Sequence, residues 1–373
     1  MMMLILGLIF IACKGPEGPA GSNGVAACSP CHTNSAKLVE KANQYAQSVH
    51  ATGLVYEYAN RTQCAMCHTH EGFMDFMNST LDTITAPVAG LPPYGSPSTI
   101  QCRTCHMIHT KYDTTDWKFT NITPFKTVFD GKLTTIDIGT GNLCGRCHQS
   151  RAITSPTIVE TQDSFSITTN RWGPHHGGQS NVLFGNSAFD LGVGGSLDGL
   201  SGTSGHAKIS NSCARCHMAA LPNLELTGIG GHSFGIATTD PTSGVKTTNV
   251  MGCSQGSGET CHTSVDSKFN PSSNKTKVTT MTNDILAIRA ELKKRGWITL
   301  DASWPKSGTI KGDLVNATSK KDSINPGPLM LSKLQAKLLA NYFIINQDQS
   351  WGVHNPKYVS AIITQMKTVL GLP

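Results

Sequence analysis

The pentapeptide Cys-x-x-Cys-His occurs five times in this chain, and a longer variant of it occurs once. The five copies are Cys28-Cys31-His32, Cys64-Cys67-His68, Cys102-Cys105-His106, Cys144-Cys147-His148 and Cys213-Cys216-His217. Two thiols three positions apart can each form a thioether with one of the two vinyl groups of a haem, and the next residue then places an imidazole beneath the iron. The repeats therefore predict a chain built around covalently attached haem c.

Cys-x-x-Cys also occurs in zinc sites and in thioredoxin-like redox pairs. A zinc module combines it with a second Cys or His pair, and a redox pair gains nothing from a histidine at the next position. Because the same residue follows the motif in all five copies, haem attachment is favoured over both alternatives.

The sixth candidate site consists of Cys253 and Cys261-His262, with seven residues between the two thiols. Two of those residues are glycines, which let the extra chain loop outward while both sulfurs converge. Two alternatives stay open, namely a haem held by one thioether and a Cys253–Cys261 disulfide, which an oxidising compartment permits. Six haems would use 12 of the 13 cysteines and leave Cys13.

The histidine count predicts the second axial ligand of each iron. Of the 14 histidines, six are proximal, meaning that they directly follow a cysteine motif, and eight remain. Two imidazoles at each of six irons need 12, so bis-His ligation is predicted at every haem with two histidines to spare. Methionine is the alternative sixth ligand, but Met107 and Met218 directly follow proximal histidines and cannot reach the opposite face of the same haem. Bis-His ligation also predicts lower reduction potentials than His/Met ligation.

The candidate distal ligands, which would bind the other face of each iron, are His50, His70, His109, His175, His176, His206, His232 and His354. His70 and His109 closely follow a proximal histidine, so neither can fold back onto its own haem, but each can reach a neighbouring one. His175 and His176 are adjacent, and an extended backbone points neighbouring side chains in opposite directions. They are predicted either to serve two haems or to be one ligand and one bystander.

Five stretches carry a resemblance to a known family. They are CAMCHTHEGF (64–73), WGPHHGGQ (172–179), CARCHM (213–218), GGHSF (230–234) and GVHNPKY (352–358). The chain resembles multihaem c-type cytochromes, and most closely the outer-membrane and extracellular cytochromes of metal-reducing bacteria, which include four- and six-haem members that polymerise into conductive filaments. The resemblance covers roughly residues 26–370.

The resemblance implies that His232 and His354 are distal ligands and that one haem takes its distal ligand from the next subunit. It also implies self-association into filaments. Two features depart from the family pattern. One is the long sixth motif, and the other is Ser35, which stands where some relatives place a histidine three residues after the proximal one.

The N-terminal residues predict export. Residues 1–12 contain an apolar run that is too short to span a membrane and suits a secretory signal. Cys13 follows Ile-Ala and resembles a lipoprotein cleavage site, with a lipid on Cys13; ordinary signal cleavage and an uncleaved anchor are the alternatives. Residues 13–25 repeat glycine at every third position and are predicted to be an extended, collagen-like linker. Residues 26–373 are predicted to be a single multihaem cytochrome domain, placed at the outer membrane, at the cell surface or outside the cell, with the periplasm as the alternative.

Composition predicts a fold that is mostly irregular, with a few C-terminal α-helices and little β-structure, wrapped around a chain of haems. Hydrophobic residues make up only 38% of the chain and aromatic residues 6%, whereas there are 37 Gly and 18 Pro, so six macrocycles would supply the missing core. Apolar residues recur at helical spacing in residues 284–294, 329–345 and 357–370. His354 is predicted to begin the last helix. Stretches rich in Gly, Ser, Thr and Pro predict loops at residues 79–100, 150–170 and 185–205.

These features predict an electron carrier in which every haem is six-coordinate, and no catalytic side chain is assigned. Its partners would be other cytochromes or metal oxides, or an electrode. The formal net charge of +6 falls to about 0 with six oxidised haems and to about −6 with six reduced ones, so nucleic-acid binding is not predicted. The alternative is a multihaem reductase of nitrite, hydroxylamine or a sulfur oxyanion, which a C-terminal resemblance to pentahaem nitrite reductases keeps open. Such an enzyme needs an open coordination position at one iron, and the surplus of histidines favours the carrier.

Overall fold

The computed structural model describes residues 32, 35–53, 57, 61–79, 81, 94–129, 132–151, 153, 156–209, 211–220, 228–239, 246–254, 277–300, 313–317 and 327–373. The predicted signal segment and linker lie outside the described residues. The same holds for Cys13, Cys28, Cys31, Cys261 and His262.

Within the described residues, short helices and small sheets are joined by long irregular connections. The α-helices are α1 (Ser35–Ala46), α2 (Val49–Thr52), α3 (Thr62–His68), α4 (His70–Asn78), α5 (Cys102–Cys105), α6 (Asn142–Gly145), α7 (Gln179–Phe184), α8 (Ser212–His217), α9 (Met251–Ser254), α10 (Lys277–Lys294), α11 (Lys333–Asp348) and α12 (Pro356–Leu370). Single 3-10 turns occur at Thr114–Trp117, Gly139–Gly141, His206–Lys208 and Gly231–Ser233.

Eight strands form four antiparallel pairs in this part of the chain. The strands are β1 (Phe125–Phe129), β2 (Lys132–Ile136), β3 (Ser164–Ile167), β4 (Ala237–Thr239), β5 (Lys246–Thr248), β6 (Ile298–Leu300), β7 (Asp313–Val315) and β8 (Leu329–Ser332). Three pairs join neighbouring strands, whereas β3 pairs with the distant β8, so that Phe165 lies opposite Leu331. Both of these side chains are buried, and the pair attaches the middle of the chain to the C-terminal helices.

The main apolar core is built by α10, α11 and α12 with the strands beside them. Helix α11 begins with a capping box in which Ser332 and Gln335 satisfy each other's backbone amides. Helix α12 is capped at its N-terminus by Asn355, whose side chain accepts from the Tyr358 amide, and at its C-terminus by Gly371 in the left-handed conformation. These caps fix the helix ends, and the buried faces of α11 and α12 pack around Tyr342 and Ile362.

Buried polar side chains on α11 and α12 hold the irregular segment 185–205 in place. The Asn341 side-chain amide accepts from the Phe189 backbone amide and donates to its carbonyl, each at 2.8 Å. The Tyr358 hydroxyl accepts from the Ser187 and Ala188 amides at 2.9 and 2.7 Å. Backbone groups that have no partner in regular structure are therefore satisfied by helix side chains.

The predicted fold class is confirmed, because irregular connections, helices and only two-stranded sheets make up the described chain. Two details of it are wrong. Helices are not confined to the C-terminus, since the cysteine motifs themselves lie on short helices. The expectation that haems replace an ordinary apolar core is also wrong for the C-terminal region. The apolar residues there form a large buried cluster, which the average composition of the whole chain did not indicate.

Three helices do form near the C-terminus, with bounds that differ from the prediction. Residues 329–332 form β8 instead of helix, because pairing with β3 outweighs their local preference. His354 does not begin the last helix but precedes its cap, Asn355. Segment 185–205 is irregular as predicted until the 3-10 turn at His206, whereas β3 interrupts the loop predicted at 150–170.

We expect Tyr358→Phe to destabilise the protein by about 1–3 kcal/mol, because it leaves two buried backbone amides without an acceptor. Tyr112→Phe is the matched control, since Tyr112 is 59% exposed, and its effect should stay within about 0.5 kcal/mol. The measurement is urea-induced unfolding of the haem-loaded protein followed by circular dichroism. Equal midpoints for the two variants would show that Tyr358 does not hold this segment.

Candidate haem sites

Four cysteine motifs lie on or at the end of short helices, namely α3, α5, α6 and α8. Residues three positions apart face the same side of a helical turn, so the two thiols of each motif project together. The turns are closed by backbone bonds of 2.9 Å from His106 to Cys102 and from His148 to Cys144. Each motif is therefore a local unit that presents two thiols and one imidazole.

Each described proximal histidine faces one of the candidate distal ligands. The distances between ring centres are 6.5 Å for His32–His109, 6.1 Å for His68–His175, 6.2 Å for His106–His232, 6.0 Å for His148–His50 and 6.4 Å for His217–His354. Each pair joins one proximal and one distal candidate. The structure thus brings together five of the eight candidates with five of the six proximal residues.

The spacing of these pairs fits two imidazoles on opposite sides of one iron. A metal–imidazole bond of about 2 Å, with the ring nitrogen about 1 Å from the ring centre, places two axial rings about 6 Å apart. Ordinary contacts between aromatic rings also span about 4.5–7 Å, so the distance alone does not identify a pair of iron ligands. The identity of the two histidines in each pair is the stronger observation. In each of the five pairs, one ring directly follows a cysteine motif and the other does not, which is the combination that axial ligation of one iron needs.

In five of the ten paired histidines, Nδ1 contacts an oxygen atom. The contacts are His106 to the Trp117 carbonyl at 2.7 Å, His175 to the His176 carbonyl at 2.7 Å, His217 to the Phe234 carbonyl at 3.0 Å, His148 to the Gln179 side chain at 3.2 Å and His354 to the Asp348 carboxylate at 2.6 Å. An oxygen acceptor fixes the proton on Nδ1 and leaves the Nε2 lone pair for a metal. These residues therefore have the tautomer that axial ligation needs.

The charge state of the rings suits iron binding as well. Burial, reinforced by the neighbouring His148, lowers the pKa of His50 to about 4. Burial and the neighbouring His175 likewise lower the pKa of His68 to about 4. Both imidazoles are neutral at pH 7, and the neutral form is the one that binds metals.

Phe234 links three of the pairs. Its carbonyl accepts from His217 Nδ1, its ring centre lies 4.9 Å from that of His50, and it lies 6.1 Å from that of His232. Its backbone is left-handed, with φ of 58°, which is uncommon for a bulky residue. The conformation is held by the bonds around Gly230 and Gly231, and it lets one residue contact ligands of three sites.

Thiols of different motifs lie side by side. The thiol of Cys147 lowers the pKa of Cys67, that of Cys213 raises the pKa of Cys144, and that of Cys253 raises the pKa of Cys216. Backbone contacts agree, since Cys67 Sγ lies 3.9 Å from the Arg146 carbonyl and Cys213 Sγ lies 4.0 Å from the Gly141 carbonyl. The second, fourth, fifth and sixth motifs therefore neighbour one another in that order.

The first and third motifs join this row through histidines that follow a motif. His70 Nδ1 contacts the Thr104 hydroxyl at 2.8 Å, which places the second motif beside the third. His109 follows the third motif and faces His32 of the first. Neither His70 nor His109 folds back onto its own motif, in agreement with the sequence argument.

Three candidate distal ligands stand outside the five pairs. His70 contacts Thr104, and the ring of His176 lies 6.0 Å from that of His175. His206 Nδ1 contacts the Val353 carbonyl at 2.7 Å, the same kind of contact that His106, His175 and His217 make. His206 also lies beside the fifth motif, because Val353 directly precedes His354.

The sequence did not point to Asp348, Gln179 and Phe234, whose oxygen atoms contact Nδ1 of paired histidines. Asp348 lies six residues before His354, and Gln179 lies 31 residues after His148. Phe234 follows His232 by two residues, and this closeness was the one indication in the sequence that Phe234 belongs to the site. The other two carry no pattern in the sequence, because their roles arise from contacts between distant segments.

We expect Gly72→Ala to destabilise the second motif. A Cβ at this buried glycine would lie 2.4 Å from the Ala65 backbone, so α4 would have to move away from α3, at a cost of about 1–3 kcal/mol. A Cβ at Gly95 would meet no atom within 4 Å, which makes Gly95→Ala the control. Intact mass should show incomplete haem attachment, and thermal unfolding a lower midpoint, for the first variant alone. Full attachment and an unchanged midpoint in Gly72→Ala would contradict this packing.

Within the described part of the chain, no three His, Cys, Asp or Glu side chains converge on a point where they could hold a bare metal ion. No helix among the described residues is both long and apolar enough to cross a membrane.

The chain matches no protein-family model, and it matches no curated protein. One solved structure is similar, the crystal structure of the outer cell wall cytochrome OcwA, with a TM-score of 0.44 and 16% sequence identity. The match covers 88% of this chain and 50% of that one, so the chain spans about half the length of the cytochrome. We base the functional proposal on the histidine pairs rather than on this likeness.

Proposed function

We propose that this protein is a hexahaem c-type cytochrome that carries electrons. The observation that supports the proposal most strongly is that each described proximal histidine faces a distal histidine at the spacing of an iron-bridged pair. Covalent attachment follows from the cysteine motifs. Haem supplies a one-electron couple at its iron, and the chain's part is to attach, ligate and space the haems.

The distal ligand of the sixth haem is proposed to be His206. The sixth motif begins at Cys253, which neighbours Cys216 of the fifth motif. His206 lies beside the fifth motif, with its Nδ1 bonded to a carbonyl as in His106, His175 and His217. His70 and His176 lie instead near the second and third motifs, so they are the two histidines to spare.

The neighbouring motifs supply the electron path. Thiols of the second and fourth, of the fourth and fifth, and of the fifth and sixth motifs are near enough to shift each other's pKa, and each thiol would become a thioether at the edge of its haem. Haem edges would therefore lie close together. On these contacts the second, fourth, fifth and sixth motifs would follow one another, with the third motif beside both the second and the fourth and the first beside the third, which differs from the order in the sequence.

The alternative reductase needs one iron with an open position. Each of the five described proximal histidines has a distal partner, so a reductase would require a vacancy at the sixth site or the loss of a ligand when substrate binds. An electron carrier requires neither.

The proposal has three further parts. The protein is exported, it carries a lipid on Cys13, and it delivers electrons to other cytochromes or metal oxides. They rest on the N-terminal sequence and on the family resemblance. Filament formation is also part of it, but five sites in the described chain find their distal ligand within one subunit. Association between subunits would therefore use surfaces, or the sixth site, rather than ligand exchange at those five.

The decisive experiment combines the intact mass of the mature protein with electron paramagnetic resonance of its oxidised form. We expect the mass of six haems and only low-spin bis-His signals. Five haems, or a high-spin signal in the native protein, would overturn the hexahaem carrier and favour the reductase.

The ligand pairs are tested by His50→Ala with His70→Ala as the control. His50→Ala should leave the haem on Cys144 and Cys147 attached but five-coordinate, so that one high-spin signal appears and the mass shows every haem. His70→Ala should keep all signals low-spin. A high-spin signal from His70→Ala, with none from His50→Ala, would refute the pairing of His50 with His148.

A further inference from the structure

One axial histidine differs from the others in the charge of its hydrogen-bond acceptor. His354 Nδ1 contacts the Asp348 carboxylate at 2.6 Å, whereas the contacts of His106, His175 and His217 end on neutral backbone carbonyls. The Asp348 side chain is 1% exposed. The difference therefore lies at a site that water reaches little.

The surroundings keep the Asp348 charge in place and aimed at the histidine. The second carboxylate oxygen accepts from the Ser350 hydroxyl, and Ser350 Oγ in turn accepts from the His354 amide at 3.2 Å. In the described chain, His354 is the one basic side chain within ion-pair distance of Asp348. No Lys or Arg of this part of the chain therefore neutralises the carboxylate.

A carboxylate behind an axial imidazole acts on the iron in two ways. It draws the Nδ1 proton toward itself, which makes the imidazole a stronger electron donor. It also places a negative charge in a poorly solvated region, where Coulomb interactions are strong. Both effects favour ferric over ferrous iron and lower the reduction potential.

We propose that Asp348, acting through His354, gives the haem on Cys213 and Cys216 the lowest potential of the five described sites. This inference rests on the proposed function, since it requires that haem to be present. Asp348 is a positioning and tuning residue, because it touches the ligand and not the iron.

The other pairs offer contrasts within the same chain. His148 Nδ1 contacts the Gln179 amide oxygen at 3.2 Å, which is the neutral counterpart of the carboxylate contact. His232 Nδ1 is buried and has no hydrogen-bond partner among the described residues. The ligands thus range from strongly to weakly donating, and the haem ligated by His232 should lie toward the high-potential end.

The position of the low-potential site makes it relevant to transport. The fifth motif neighbours the fourth through Cys213 and the sixth through Cys216. An electron that moves along the row must cross this site, where its free energy is highest. Asp348 would therefore control the passage between the two ends of the row.

The test is a spectroelectrochemical titration of Asp348→Asn, which keeps the size of the side chain and removes its charge. The lowest midpoint should rise, with a change of roughly tenfold in the ferric-to-ferrous ratio at fixed potential, which is about 59 mV for one electron. The His354→Ala variant identifies the signal, since it converts the same haem to high spin. Unchanged midpoints in a fully loaded Asp348→Asn protein would overturn the inference.

The matched variant is Gln179→Glu, which places a carboxylate behind His148. It should lower the midpoint of a different haem while the lowest native midpoint stays unchanged. If Asp348→Asn fails to load haem, Gln179→Glu becomes the deciding variant. A lower midpoint in Gln179→Glu supports the tuning mechanism, and an unchanged midpoint refutes it. Absence of haem from the native protein would instead refute the proposed function, so the two failures are distinguishable.

Discussion

The paired imidazoles are the interaction on which the arrangement of this chain depends. Each pair joins a local cysteine motif to a histidine from a distant segment, as in His106 with His232 and His217 with His354. An iron shared by both rings would act as a cross-link across the fold. Ligands that converge only in the folded state couple metal binding to folding, so the native packing of the N-terminal half is expected to require haem.

The two halves of the molecule are stabilised in different ways. The C-terminal region has an apolar core with capped helices, and an irregular segment fixed by buried side chains such as Asn341 and Tyr358. Around the second motif, by contrast, the buried apolar cluster consists of Met66 and Phe76 with a few partly buried neighbours. A small cluster buries little surface, so the C-terminal core is suited to be the stable base against which the haem-binding segments are arranged.

The residues of the candidate site could be named from the sequence, because the thioether attachment that we propose demands a fixed local spacing. The proximal histidines followed directly, and the histidine count gave the set of distal candidates. The choice of partner for each iron could not be predicted, since it depends on how distant segments pack. His175 and His176 show this, because the sequence treats them alike while the structure places His175 opposite His68. The strand at Leu329–Ser332 was missed for the same reason, as its partner lies at Ser164–Ile167.

The side-by-side thiols of different motifs have a consequence for the maturation of the protein. Cys67 and Cys147 are neighbouring thiols that shift each other's pKa, and two such thiols can be oxidised to a disulfide in an oxidising compartment. A disulfide between two motifs would block thioether formation at both. The native fold thus brings together two thiols that, with haem attached as proposed, would already be thioethers. With haem on both motifs, as proposed, attachment is expected to occur on a reduced and still incompletely folded chain, before these segments meet.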